Sequence, residues 1–142
     1  MQSSIREALA ADAERIAQLC LQLGYQVPRN HVDHMLHVSR SHAQIFVAVV
    51  ARVGVVGFAR AVVNEMLLGE PAVEIEAMLV DSEYRGEGIG TALLHAIEQW
   101  SGHRGVYGLR LSVDVSDDRA HEFFLRNGYE LLRNKLVLSK PL

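Results

Sequence analysis

A glycine-rich turn in the second half of the chain most constrains its fold. Gly86, Gly88 and Gly90 lie between an alternating apolar segment that ends at Asp81 and a helical apolar periodicity that begins at Gly88. Glycines at a strand-to-helix junction permit positive φ angles and let a ligand approach the main chain closely. The first N–H groups of the helix lie at the positive end of its dipole, where an anion such as a pyrophosphate binds well. A tight turn that binds nothing is the alternative interpretation.

Sequence periodicity predicts the remaining elements. In chain order they are a strand opening at Ile5 and Ala8, a helix capped by Asp12 and running to Leu23, a helix Asn30 to Val38, strands Ile45 to Ala51, Val55 to Val63 and Val73 to Asp81, a helix Gly88 to Trp100, a strand Leu109 to Val115, a helix Asp118 to Asn127 and a strand Glu130 to Leu138. This order predicts an α/β (α+β) fold with a mixed, mostly antiparallel central sheet flanked by helices. Because no repeat or linker interrupts it, we expect one domain, 1–142.

Composition narrows the function classes. Of the 142 residues, 49% are hydrophobic and 22% charged, which predicts a soluble globular chain. The longest apolar run, Ile45 to Ala51, is far shorter than the roughly 20 residues of a membrane span, so no membrane partner is expected. Lys and Arg are interspersed and the net charge is −3, which argues against nucleic acid. A lone Cys20 and a start without signal-peptide character predict a cytoplasmic protein.

The spacing of the turn separates three phosphate-binding motifs. The dinucleotide fingerprint requires a third glycine where Thr91 stands, and the ATP-binding P-loop requires a lysine that this segment lacks. The pattern [Q/R]-x-x-G-x-[G/A] fits, with Arg85, Gly88 and Gly90 in register. In this motif the sequence resembles the GCN5-related N-acetyltransferases, the GNAT family.

The resemblance covers essentially the whole chain. Its further matches are Ile5-Arg6 followed by Asp12, the third-strand segment Val55 to Phe58, Leu93-Leu94 in the motif helix, and Ala120 to Tyr129, which is similar to the family's A-x-x-F-Y-x-x-x-G-F signature. It implies an acyl-CoA N-acyltransferase fold with splayed fourth and fifth strands, and acetyl-CoA as cosubstrate between them. The implied cofactor-binding residues are Met78, Leu79, Val80, Arg85, Gly86, Glu87, Gly88, Ile89, Gly90, Thr91, Asp117 and Phe124. Asp117 stands where the family usually has asparagine, and a helix N-cap is its alternative role.

Two carboxylates on the fourth predicted strand are candidates for the general base. A free amine with a pKa near 10.4 is protonated at pH 7, and its deprotonation costs about 4 to 5 kcal/mol. Strand alternation puts Glu74, Glu76 and Met78 on one face, and Glu74 matches the base of the histone-acetylating family members. Either carboxylate can act directly or through water. Both can instead be solvated residues, or neutralise a cationic substrate.

The leaving thiolate has no obvious proton donor. Family members often use a tyrosine on the fourth helix, but Phe124 occupies that position. His121, Ser112, Ser116 or a water can replace it, and a structural hydrogen bond is the other role open to His121. Besides an active N-acetyltransferase, we therefore consider a non-catalytic acyl-CoA-binding module that senses its ligand.

The amine acceptor is the least constrained prediction. Glu65, Glu70, Glu74 and Glu76 cluster in sequence and favour a cationic acceptor, such as an aminoglycoside-like amine, a polyamine or a protein amino group. No metal is expected, because no carboxylate or thiol completes a set with the histidines at 31, 34 and 37. A homodimer is also compatible with the sequence.

Overall fold

The computed structural model describes residues 2–38 and 41–142, and its described strands form one sheet. The elements are β1 Ser3–Glu7, α1 Ala13–Leu21, α2 Arg29–His37, β2 Ala43–Val50, β3 Gly54–Asn64, β4 Ala72–Val80, α3 Ile89–His103, β5 Leu109–Arg110 and α4 Asp118–Arg126, with 3-10 turns at Ala10–Asp12 and Ser82–Tyr84. The chain divides into two units, Met1–Leu111 with the sheet and α1 to α3, and Ser112–Leu142 with α4. The single-domain interpretation stays a prediction.

The sheet has the order β1-β2-β3-β4-β5 and is mixed. The first four strands pair antiparallel, and β4 pairs with β5 in parallel, which confirms the predicted mixed, mostly antiparallel sheet flanked by helices. One face packs on α3, where the ring of Phe46 meets Trp100 edge to face at 6.4 Å. The other face packs on α1 and α2. Its buried core contains Ala13, Ile16, Leu19, Val32, Ile45, Val47, Val55, Phe58 and Leu79.

Asp12 holds the entry to α1 in a way that the capping prediction did not include. The residue occupies the N-cap position, but its carboxylate accepts a 2.7 Å hydrogen bond from the backbone N–H of Leu9. The same carboxylate pairs with both terminal nitrogens of Arg6, at 2.7 and 3.1 Å. The pair therefore fastens β1 to the turn that precedes α1.

Substitution of Asp12 by asparagine is expected to lower the free energy of unfolding by about 1 to 2 kcal/mol at pH 7, less than for a fully buried pair because Arg6 is partly solvent-exposed. The Arg6 hydrogen bonds hold the pKa of Asp12 below its usual value. The stabilisation is therefore complete above about pH 4, the carboxyl pKa of the unfolded chain, and is lost as the pH falls through the lower folded-state pKa. Urea unfolding at several pH values should show the difference between wild type and variant shrinking in acid. A constant difference would contradict this role.

The C-terminal part of the sheet differs from the prediction. β5 contains only Leu109–Arg110 instead of extending to Val115, and the predicted strand Glu130 to Leu138 is absent from the described residues. The apolar side chains that suggested this strand are exposed, namely Leu131, Leu132, Leu136, Val137 and Leu138. Alternation predicts which side chains share a face, but a strand forms only where a neighbouring backbone completes its hydrogen bonds.

No helix in the described part of the chain is both long and apolar enough to cross a membrane. The cytoplasmic location stays a prediction.

Candidate active site

A β-bulge at Glu76 sets the geometry of the candidate site. Ile75 lies opposite Ala61 on β3, and Ala77 lies opposite the adjacent residue of β3, Arg60. Glu76 is therefore an extra residue on β4 with no counterpart on β3. Opposed residues in an antiparallel pair share a face, and a shift by one residue reverses the faces of the strand that follows. The prediction that simple alternation puts Glu74, Glu76 and Met78 on one face is therefore wrong. Met78 lies on the α3 side with Ile75.

Glu74 lies on the α1 and α2 side of the sheet, opposite Val62. It is half-buried, and its Oε2 accepts a 2.8 Å hydrogen bond from the side-chain amide of Asn64 on β3. A carboxylate has several acceptor positions, and a neutral amide occupies one of them. The contact that holds Glu74 in place is therefore a hydrogen bond from a neutral group and not an ion pair.

Glu76 is exposed and forms an ion pair with Arg60. Its Oε2 lies 2.8 Å from Nη1 of the guanidinium, whose side chain is only 15% exposed. The buried Nε of Arg60 has no hydrogen-bond partner among the described residues. Glu76 thus offsets the charge of a mostly buried arginine, and the two predicted carboxylates have different surroundings.

Pairing between β4 and β5 ends immediately beyond Glu74. The ladder joins Val73 to Leu109 and Glu74 to Arg110, and the rest of β4, residues 75–80, pairs only with β3 in the described structure. This is the splayed geometry that the resemblance implied. The main chain of Met78, Leu79 and Val80 lies on the open part of the β4 edge, where an extended ligand can add as a further strand.

The predicted glycine-rich turn follows β4 and leads into α3. Gly86 has φ +80° and Gly88 has φ +81° at the N-cap of α3, so both adopt the left-handed conformation that glycine tolerates best. The Arg85 side chain donates from Nε to the carbonyl of Val80 at 3.2 Å. Glu87 is exposed, whereas Gly90 and Thr91 are half-buried in the first turn of α3. The helix therefore begins where an anion-binding turn requires it.

Close backbone packing supports this turn from β3. A Cβ atom on Gly57 would lie 3.0 Å from the carbonyl oxygen of Leu79 and 3.5 Å from the Ile89 side chain. Ile89 itself is 1% exposed. The first residue of α3 is thus fixed against the sheet.

The remaining predicted site residues belong to the second unit. Asp117 caps α4 by accepting a 3.1 Å hydrogen bond from the backbone N–H of Ala120, the alternative role weighed for it. The half-buried ring of Phe124 meets Tyr129 edge to face at 5.6 Å. His121 is exposed on α4. Catalytic and cofactor roles for these residues stay predictions.

Sequence reasoning missed the two residues of β3 that contact the carboxylates, Arg60 and Asn64. Both follow from the pairing register of β3 with β4, and a loop of seven residues, 65–71, does not fix that register. Asp81 was also treated only as the end of a strand, although it is buried and paired with Arg15. In the described ranges, no group of three or more His, Cys, Asp or Glu side chains could hold a metal ion.

A mixed sheet with one open strand edge beside an anion-suited turn can hold an extended ligand that carries phosphate groups. The acetyltransferase (GNAT) family model matches residues 8–129. The chain therefore belongs to the GNAT family and is an acetyl-transferring enzyme.

Similar proteins include aminoglycoside acetyltransferases. The aminoglycoside N(6')-acetyltransferase type 1 of Stenotrophomonas maltophilia is 27% identical over 143 aligned positions, 98% of this chain and 94% of the relative. The solved structure of AAC(6')-Iy with the bisubstrate analogue CoA-S-monomethyl-acetylneamine aligns with a TM-score of 0.86 at 20% identity, covering 100% of both chains. The 6'-N-acetyltransferase AAC(6')-Ih of Acinetobacter baumannii aligns with a TM-score of 0.85 at 17% identity, covering 99% of both. These two likenesses establish the fold.

Proposed function

We propose that the protein transfers an acetyl group from acetyl-CoA to a primary amine of a polycationic small molecule of the aminoglycoside class. The observation that carries the proposal is the placement of Glu74, the last residue of β4 that pairs with β5, and of Glu76 beside the open part of the β4 edge. The relative from Stenotrophomonas maltophilia, matched over nearly its whole length, supports the acceptor class.

The chain offers a suitable binding surface for acetyl-CoA. The open edge of Met78, Leu79 and Val80 supplies backbone donors and acceptors for the amides of the pantetheine arm. The amides from Arg85 to Thr91, with the helix dipole of α3, suit the pyrophosphate. Bound acetyl-CoA supplies an activated thioester carbonyl, and an edge N–H near Leu79 can stabilise charge that develops on its oxygen.

Glu74 is the better candidate for the general base. The acceptor must lose a proton before its nitrogen can attack, and a half-buried carboxylate held by a neutral amide can accept that proton without breaking an ion pair. Glu76 would have to give up its contact with Arg60. We therefore assign Glu74 to proton removal, directly or through a water, and Glu76 to attraction of the cationic acceptor.

The transfer is a direct attack in which atoms and charges balance. Glu74 first takes the ammonium proton of the acceptor and passes it to solvent. The neutral amine nitrogen then forms a bond to the thioester carbon, the carbon–sulfur bond breaks, and the second proton leaves the nitrogen to a water molecule. The thiolate then takes a proton from water, since Phe124 has no dissociable proton. A thiol with a pKa near 8.5 leaves readily, so the missing tyrosine does not prevent turnover.

Acidic residues around the site favour a cationic acceptor. Glu65 and Glu70 are exposed in the loop that joins β3 to β4, and Glu74 and Glu76 follow on β4 itself. Several carboxylates on one loop and strand attract a ligand with several ammonium groups more strongly than one with a single charge.

A thiol-release assay with acetyl-CoA tests the proposal. The amines should include an aminoglycoside, a linear polyamine and a lysine-containing peptide, with an amine-free reaction to correct for hydrolysis. We expect the highest kcat/KM with the aminoglycoside. Transfer to the peptide alone would overturn the acceptor class. Acetyl-CoA binding without transfer to any amine would overturn the transferase role and favour a sensing module.

A further inference from the structure

An ion pair between Arg15 of α1 and the buried Asp81 fixes the start of the glycine-rich turn. Asp81 directly follows β4, and its side chain is 9% exposed. Its Oδ2 lies 2.6 Å from Nη2 of Arg15, whose Nε donates to the carbonyl of Val55 at 2.9 Å. The other oxygen, Oδ1, accepts a 3.1 Å hydrogen bond from the backbone N–H of Glu83. One carboxylate thus connects α1 and β3 with the turn.

A second side chain from the end of α1 reaches the same segment. Gln22, the residue that follows α1, accepts a 3.0 Å hydrogen bond from the backbone N–H of Ser82 through its Oε1. The N–H of Tyr84 donates to the carbonyl of Asp81 at 2.8 Å. The hydrogen bond from the backbone N–H of Glu83 lowers the pKa of Asp81 most, and the side chains of Gln22 and Arg15 lower it further. This carboxylate is therefore charged at neutral pH.

The turn has little packing of its own. From Ser82 to Gly88 every residue is exposed except the half-buried Tyr84, and the chain is buried again only at Ile89. Its shape therefore depends on polar contacts at its start and on the fixed beginning of α3. An anion site requires amides that are already in position, because a loop that must be ordered on binding loses affinity.

We propose that Arg15 and Gln22 are positioning residues for acetyl-CoA. Through Asp81 and Ser82, they hold the turn in the shape that binds the pyrophosphate. The inference rests on the proposed function, since it needs that turn to hold the phosphates. Arg15 and Gln22 should therefore affect how tightly the phosphate-bearing half of acetyl-CoA binds, and not the rate of acetyl transfer itself.

Steady-state kinetics with two acetyl donors test the inference. The variants are Arg15→Met, Asp81→Asn, their double mutant and Gln22→Ala, and the donors are acetyl-CoA and S-acetylpantetheine, which lacks the pyrophosphate. For Asp81→Asn we expect the acetyl-CoA KM to rise about tenfold with kcat unchanged, and kcat/KM for S-acetylpantetheine to stay at the wild-type value. The double mutant should resemble either single variant in KM, because each single substitution already removes the contact between Arg15 and Asp81. The exposed Gln22→Ala should raise KM less and should still fold.

Asp12→Asn is the matched control, because it breaks a second ion pair, at the N-cap of α1, whose partner is Arg6 on β1 and which makes no hydrogen bond or ion pair with the turn in the described ranges. It should lower stability and leave the acetyl-CoA KM unchanged. An equal rise in KM in this control, or an unchanged KM in Asp81→Asn and Gln22→Ala, would overturn the positioning role. A wild type with equal kcat/KM for both donors would instead overturn the pyrophosphate assignment on which it rests.

Discussion

Replacement of Glu74 by glutamine is expected to lower kcat by about 10²-fold or more at neutral pH, the usual contribution of a general base. Glutamine has nearly the same shape and can still accept the hydrogen bond from Asn64, so the variant removes basicity and not packing. The loss should be greatest at low pH, where more of the acceptor amine is protonated. A pH profile of kcat/KM for both enzymes measures it.

An acceptor whose own pKa lies below about 7 provides the sharpest check on Glu74. Such an amine is already neutral at the assay pH, so Glu74→Gln should acetylate it nearly as fast as the wild type. Glu70→Gln, at an exposed position in the loop that joins β3 to β4, is the matched control: it removes one attracting charge, so it should raise the acceptor KM slightly and leave kcat at the wild-type value with both kinds of acceptor. Equal losses with strongly and weakly basic acceptors would show that Glu74 is not the base.

The Glu76→Gln variant separates attraction of the acceptor from proton removal. The Glu76 carboxylate pairs with Arg60, and we assign it to attraction of the acceptor and not to proton removal. Its replacement should therefore raise the acceptor KM and change kcat little. The expected rise in KM is about threefold to tenfold, the size of a partly exposed charge contact. A loss in kcat as large as that of Glu74→Gln would reverse the assignment of the two carboxylates.

Local sequence patterns were sufficient to predict the turn and most strands of the sheet. The glycines at 86 and 88 mark left-handed φ angles, a constraint that acts within a few residues and is visible in the sequence. Likewise, the nearly continuous apolar runs of β2 and β3 located both strands to within two residues. The turn depends on the conformational preferences of its own residues, and the strands depend on burial of their side chains. Both properties can be recognised from the residue types in a short segment of sequence.

Features that depend on register were not visible in the sequence. The bulge at Glu76 reverses the faces of the second half of β4, and nothing in the alternation of Glu74, Glu76 and Met78 indicates it. The partners Arg60 and Asn64 follow only once the register is known. The bond from Arg15 to Asp81 joins residues 66 positions apart, a separation at which no periodicity carries information. Contacts of this kind come from tertiary packing.

Replacement of Gly88 by valine is expected to weaken acetyl-CoA binding by about 30-fold or more. A β-branched residue at φ +81° costs on the order of 1 to 3 kcal/mol, and the turn relieves that strain by moving the amides that start α3. Titration calorimetry with acetyl-CoA measures the loss. Gly105→Val is the matched control, because Gly105 has φ +73° in open space beyond the other end of α3, about 22 Å along the helix. It carries the same strain and should keep the wild-type affinity. Unchanged affinity in Gly88→Val, or an equal loss in both variants, would show that this turn does not bind the pyrophosphate.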